Sequence, residues 1–223
     1  QYHEVRRGWL GVRIQQVTDE VAESLSLKPA RGALVAGVED KGPAKPAGIQ
    51  PGDVIVKFDG KDVKEMRDLP RIVADTPVGK DVQVIVVRKG KEETKTVKLG
   101  RLDDTEKKQA SLTTKEQAPE TNSSVKSTLG LNLSGLTADL RKKNKIKDSV
   151  KGVLITGVDD NSPAAEKRLA PGMVISQVDQ EAVNTPAEFD SRVAKLKKDG
   201  KKLVMLLVVS PDGDPSIVVL GIK

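Results

Sequence analysis

Residues 32–63 and 152–183 of this chain are two versions of one sequence. GALVAGVEDKGPAKPAGIQPGDVIVKFDGKDV lies without a gap over GVLITGVDDNSPAAEKRLAPGMVISQVDQEAV, offset by 120 positions at both ends (152 − 32 and 183 − 63). The identities fall on residues with stereochemical jobs: Gly32/Gly152, Gly37/Gly157, Pro43/Pro163, Pro51/Pro171, Gly52/Gly172 and Asp59/Asp179. Upstream the repetition continues at an offset of 119, where Leu10-Gly11-Val12-Arg13-Ile14 meets Leu129-Gly130-Leu131-Asn132-Leu133 and Val17-Thr18 meets Leu136-Thr137. A long period seen only twice implies tandem domains rather than a solenoid. Each copy has roughly a hundred residues, enough for a core of its own.

Those cores must be aliphatic. Only 2% of the 223 residues are aromatic and 37% are hydrophobic, so Val, Ile, Leu and Ala have to do the packing, which favours small strand-rich domains. The longest apolar run, Leu203 to Val209, is far too short to cross a bilayer and reads as a buried strand. A start at Gln1, with no initiator Met and no leader pattern, reads as a processed chain or an excised fragment. The formal charge of +6 is spread evenly: net +3 over residues 1–100 (18 basic, 15 acidic), zero over 101–127 and +3 over 128–223 (15 basic, 12 acidic). The basic runs Arg141 to Lys147 and Lys195 to Lys202 lack interleaved aromatics for base stacking, so they read as solvated faces and not as a nucleic-acid surface. With no cysteine, disulfides and thiol chemistry are excluded.

Both copies show the same order of elements. A short strand (Leu10 to Gln15; Leu129 to Leu133) leads to a helix-capping Thr, Thr18 or Thr137, with acidic residues in the first turn after it. An apolar strand (Ala33 to Val38; Val153 to Val158) ends at an acidic pair, and a Pro-started short helix follows. Pro-Gly turns feed the strands Val54 to Phe58 and Val174 to Val178. Longer helices are expected around Glu65 to Asp75 and Pro186 to Lys197, with Phe189, Val193 and Leu196 on one face. Hairpins close each copy, Asp81 to Arg88 with Thr94 to Leu99, and Leu203 to Val209 with Ile217 to Leu220. The stretch 101–127 loses periodicity and reads as a flexible linker between domains at 1–100 and 128–223.

Little in the chain could carry catalysis. The single histidine, His3, lies outside the repeat, and there is no nucleophile turn and no cluster with metal-ligand spacing. The acidic pairs Glu39-Asp40 and Asp159-Asp160 sit at strand ends before a proline, where carboxylates make turns and caps. The remaining signal lies at the first strand of each copy. A turn containing Gly can aim successive backbone N–H groups at one anion, and a peptide's terminal carboxylate is such an anion. Arg6 and Arg7 would add a favourable field, and Leu10, Val12 and Ile14 would line a pocket for the last residue of an extended peptide paired to the strand edge.

This order of elements, with GIQPGDVIVKFDGKDV as its most specific segment, resembles the PDZ domain in its bacterial, circularly permuted form. RRGWLGVRIQQVT, followed by a second copy, resembles the regulatory half of the DegP/HtrA (Do-type) serine proteases. The fold the resemblance implies is mainly β with short helices (α+β): two small, partly open barrels or sandwiches capped by helices. It assigns carboxylate binding to the backbone of Trp9, Leu10, Gly11 and Val12, where Gly11 would leave room for the ligand to approach. It lines the pocket with Ile14, Met66, Leu69, Pro70 and Val73, although Leu69 and Val73 would serve equally as core. The second copy departs from the pattern, with Arg168 for the helix-ending Gly48, Met173 for Asp53 and Thr128 for Trp9. Its loop Thr128, Leu129, Gly130 and Leu131 is expected to bind peptide weakly or not at all.

The resemblance therefore implies a chain that is not itself an enzyme and needs no cofactor or metal. It implies a module that binds C-terminal tails of unfolded envelope proteins in the bacterial periplasm, serves an attached protease domain and contributes to homo-oligomer assembly. Neither nucleic acid nor membrane insertion is expected. The alternative is the tandem PDZ filter of a site-2 intramembrane metalloprotease.

Overall fold

The computed structural model describes residues 8–101, 125–126 and 129–222. Residues 1–115 and 116–223 form two compact units. Arg6, Arg7, Thr128 and most of the expected linker lie outside the described residues.

The first unit runs β1 (Gly8–Trp9), β2 (Val12–Gln16), α1 (Asp19–Ser24), β3 (Ala33–Val38), β4 (Val54–Phe58), β5 (Lys61–Asp62), α2 (Asp68–Ala74), β6 (Asp81–Arg88), β7 (Lys91–Lys98) and β8 (Gly100–Arg101). Its main sheet is antiparallel and open, in the order β2-β3-β4-β6-β7 with β5 beside β4, and β1 pairs separately with β8. The second unit repeats the plan with β9 (Val125–Lys126), β10 (Leu131–Gly135), α3 (Ala138–Lys143), β11 (Val153–Val158), α4 (Pro163–Glu166), β12 (Val174–Val178), β13 (Glu181–Ala182), α5 (Pro186–Lys198), β14 (Leu203–Val209) and β15 (Pro215–Gly221). Its order is β15-β14-β12-β11-β10-β9, with β13 beside β12. The expected class, mainly β with short helices, is the one found; neither sheet closes into a barrel.

The repeat extends to the irregularities of the sheets. A register shift falls between Arg13 and Ile14 in β2 and between Asn132 and Leu133 in β10, and another falls after Ile55 in β4 and after Ile175 in β12. Such bulges bend a strand at a chosen place, so both copies curve in the same way. Local chemistry recurs too. Thr18 and Thr137 accept from the N–H of Val21 and Leu140 to cap α1 and α3. Asp59 and Asp179 both adopt left-handed backbone, φ 49°, in the turns after β4 and β12.

Several elements differ from the sequence-based expectation. The first strands begin at Val12 and Leu131, because Gly11 (φ 71°) and Gly130 (φ 75°) interrupt the extended backbone. The Pro-started helix forms only in the second unit. There Ser162 accepts from Ala165 N–H, whereas Gly42 at the matching place has no side chain to cap with and residues 43–48 remain a series of turns. α2 begins at Asp68 instead of near Glu65, since the Asp68 carboxylate takes the N–H groups of Lys64 and Glu65 (3.1 and 3.0 Å) and holds them in a turn. Val125–Lys126, at the end of the expected linker, is strand β9.

Candidate peptide-binding site

The first unit holds an apolar cavity of about 320 Å³. One wall is β2 with the loop before it, contributing Trp9, Leu10, Gly11, Val12 and Ile14; the other is α2, contributing Leu69, Pro70, Val73 and Ala74. Positions 69, 70, 73 and 74 follow the i, i+3, i+4 spacing that puts side chains on one helical face. Leu69 and Val73 are also core residues, so the two roles considered for them coexist. Met66 precedes α2 and is not among the lining residues, whereas Gly8 and Ala74 are. Ala74 stands four residues after Pro70, so helical spacing was the signal that could have found it.

The loop between β1 and β2 is held from one side. The Leu10 carbonyl accepts from Ala44 N–H (3.1 Å) and the Gly11 carbonyl accepts from Glu39 N–H (2.9 Å). In a trans peptide the N–H points opposite to the C=O, so the N–H groups of Gly11 and Val12 face away from the 39–44 turn, at the end of the cavity. Two successive N–H groups in a turn of left-handed and extended residues form a small anion-binding concavity.

Gly11 serves the fold as well as the loop. A Cβ there would sit 2.5 Å from Gly42 Cα, on a backbone whose φ of 71° disfavours side chains. Its glycine character is thus required by packing against the 39–44 turn, whatever approaches from the cavity side. Trp9 is half-buried, with its ring over Gly100, its partner in the β1–β8 pair.

In the second unit Asp159 N–H donates to the Gly130 carbonyl (2.9 Å), as Glu39 does to Gly11, so the loop has the same anchor. Leu131, however, is fully buried where its counterpart Val12 is only partly so, while Leu129 is core as Leu10 is. The acidic pairs make turns: the Glu39 carbonyl accepts from Gly42 N–H, the Asp159 carbonyl accepts from Ser162 N–H and Oγ–H, and Asp40 pairs with Lys45. Among the described residues no cluster of three or more His, Cys, Asp or Glu could hold a metal ion.

An open antiparallel sheet, a groove between its edge strand and a helix, and a Gly-containing loop at the end of that groove define a PDZ domain, and the PDZ domain family matches residues 8–99. Over nearly its whole length the chain is also similar to DegP-like proteins. It is 38% identical over 219 residues to a probable periplasmic serine endoprotease DegP-like of Hahella chejuensis, covering 98% of this chain and 44% of that protein. The corresponding protein of Brucella suis is 36% identical over 208 residues, 93% of this chain and 38% of its own length. A solved HtrA-type protease AlgW with decapeptide shares 40% identity over 44% of this chain and 30% of that one, with a TM-score of 0.40. The chain thus spans less than half the length of the relatives it matches, and its own residues 8–99 are the part that the PDZ domain family matches. The relatives' names agree with the periplasmic setting that the resemblance implies. No helix among the described residues is long and apolar enough to cross a membrane.

Proposed function

We propose that the chain is a tandem PDZ peptide-binding module, with domains at 1–100 and 128–223 joined by 101–127, that regulates a DegP/HtrA-type serine protease and chaperone of the bacterial periplasm. The first domain captures the C-terminal tails of unfolded envelope proteins. That capture signals to an attached protease domain and to homo-oligomer assembly, as part of protein quality control under stress. The observation that carries the reading is the apolar cavity between β2 and α2, with the N–H groups of Gly11 and Val12 at its end. An extended peptide laid along β2 would put its last side chain among Leu10, Val12, Ile14 and Leu69 and its carboxylate on those N–H groups. Arg6 and Arg7, which precede β1 in the sequence, would strengthen the attraction for an anion.

The test is a titration of the chain with a peptide ending in an apolar residue, as free acid and as amide. Hydrogen bonds to a charged group contribute about 1.5–3 kcal/mol, so amidation is expected to weaken binding by about tenfold or more. Equal affinity for acid and amide would mean that internal segments are bound, and tail recognition would be excluded.

A further inference from the structure

Among the described residues the two units differ at the edge of the sheet. In the second, β9 pairs antiparallel with β10, Lys126 opposite Asn132 and Val125 opposite Leu133. In the first, the strand order ends at β2 among the described residues, and the cavity opens beside it. Burial differs in the same sense. Val12 and Ile14 are partly exposed in the first unit, whereas their counterparts Leu131 and Leu133 are each 0% exposed. On α5, Asp190 follows the core residue Phe189 as the cavity-lining Pro70 follows the core residue Leu69. Its Oδ1 is buried with no hydrogen-bond partner among the described residues. Burial also pushes the Asp190 carboxyl above its ordinary pKa.

We propose that the second unit has an extended-peptide site between β10 and α5 that is occupied by the chain's own Val125–Lys126, an internal ligand that an external tail must displace. The inference rests on reading the first cavity as a peptide site, because it assigns the same binding mode to the equivalent groove. The direction of β9 is that of a captured tail. It runs antiparallel to its partner strand, and its later residue, Lys126, pairs nearer the Leu129-Gly130 loop. Main-chain pairing of this kind is indifferent to side-chain identity, so a short polar segment can serve as the occupant. Because the occupant is tethered it competes at high effective concentration, and a tail binds only in proportion to the fraction of molecules whose groove is open.

Two variants of the full chain test this. The sequence has no cysteine, so Lys126→Cys with Asn132→Cys introduces a single thiol pair at directly opposed positions. Mild oxidation is expected to join them within one molecule. Failure to form that disulfide would show that β9 does not lie on β10. Val125→Pro with Lys126→Pro removes the backbone donors of β9. β10 amides that face away from β11 should then lose exchange protection by about tenfold or more, with β11 and β14 unchanged. A peptide ending in an apolar residue should restore that protection with an apparent affinity about tenfold or more tighter than in the unaltered chain, and the oxidised cysteine variant should show no binding there. Unchanged β10 exchange, or lost protection that peptide does not restore, overturns the proposal. Trp9 fluorescence and β2 amide exchange report the first site separately, so a failed first-site reading is a silent Trp9, whatever β10 does.

Discussion

The two units build one plan from differently placed bulk. The chain has two phenylalanines, and each lies fully buried in one core, but at positions that do not correspond. Phe58 ends β4 where Val178 ends β12, and Phe189 sits on α5 where Leu69 sits on α2. The ring comes from the sheet in the first unit and from the helix in the second, and the large-plus-medium volume of the pair is kept. The turn between β3 and β4 differs in kind. In the first unit the buried Asp53 carboxylate accepts from Arg88 Nε and Nη2, both at 2.7 Å, and from Gln50 N–H at 2.9 Å, while Arg88 Nη2 also donates to the Gly48 carbonyl. In the second unit Met173 packs against the core at Asp53's position, and Ser210 follows β14 where Arg88 ends β6. The same backbone turn is thus made with an ion pair in one copy and with an apolar contact in the other.

The largest effect is expected at that ion pair. Removing the Asp53 carboxylate strips Arg88 of its closest partner and leaves it only Glu93 as a carboxylate partner, at 3.6 Å, at a cost of about 3 kcal/mol. Asp53→Ala should therefore destabilise the first unit by that amount, read by amide exchange in the full chain, and leave the second unit unchanged. Asp53→Met with Arg88→Ser copies the second unit and should recover most of the loss. Equal destabilisation by the single and double variants would mean that the turn in the first unit depends on the ions themselves.

Exchanging the aromatic position is the next test. Phe58→Val leaves a void and Leu69→Phe alone overfills the core and its cavity edge, while the pair together restores the arrangement of Val178 and Phe189. The two changes should couple favourably by about 1–3 kcal/mol in a double-mutant cycle. Additive costs would show that the two cores are not volume equivalents.

Capping contributes less. Ser162→Ala removes the side-chain acceptor for Ala165 N–H and should cost the second unit about 1 kcal/mol. The first unit makes the equivalent turn with Gly42 and has no such cap to lose.

The smallest effect follows from Asp190. Its folded-state pKa is raised by burial, so the folded state holds the proton more tightly than the unfolded chain does. That contribution to the second unit is fully present below the unfolded carboxyl pKa and is lost as pH rises through the folded one. Comparing Asp190→Asn with the parent across the acidic range should show the parent gaining stability relative to the variant as pH falls. Parallel pH profiles would contradict it.

Much of this was legible in the sequence, and the physical reason is local. β3, β4, β6, β11, β12 and β14 have the limits read from mostly apolar runs bounded by Gly, Pro or charged turns, because a strand that packs on the core must present apolar side chains to it. The resemblance to the PDZ domain implies Trp9 to Val12, Ile14, Leu69, Pro70 and Val73 for the binding site, and these residues line the cavity, whereas Met66 does not. What was not legible depends on partners outside each segment. The pairing of Asp53 with Arg88 spans 35 residues. β9 lies in a polar stretch without periodicity and is a strand only because β10 offers it an edge. The packing of Gly11 on Gly42 joins two loops that neither segment announces.

We propose that one plan serves two tasks, with an open peptide site in the first unit and a self-filled one in the second. Amide exchange of the full chain, titrated with a free-acid peptide ending in an apolar residue while Trp9 fluorescence is followed, tests it most directly. One equivalent should bind, with a response from Trp9 and new protection along β2, while β10 is protected from the outset and unaltered by peptide. Two equal equivalents, with protection appearing on β2 and β10 together, would contradict it.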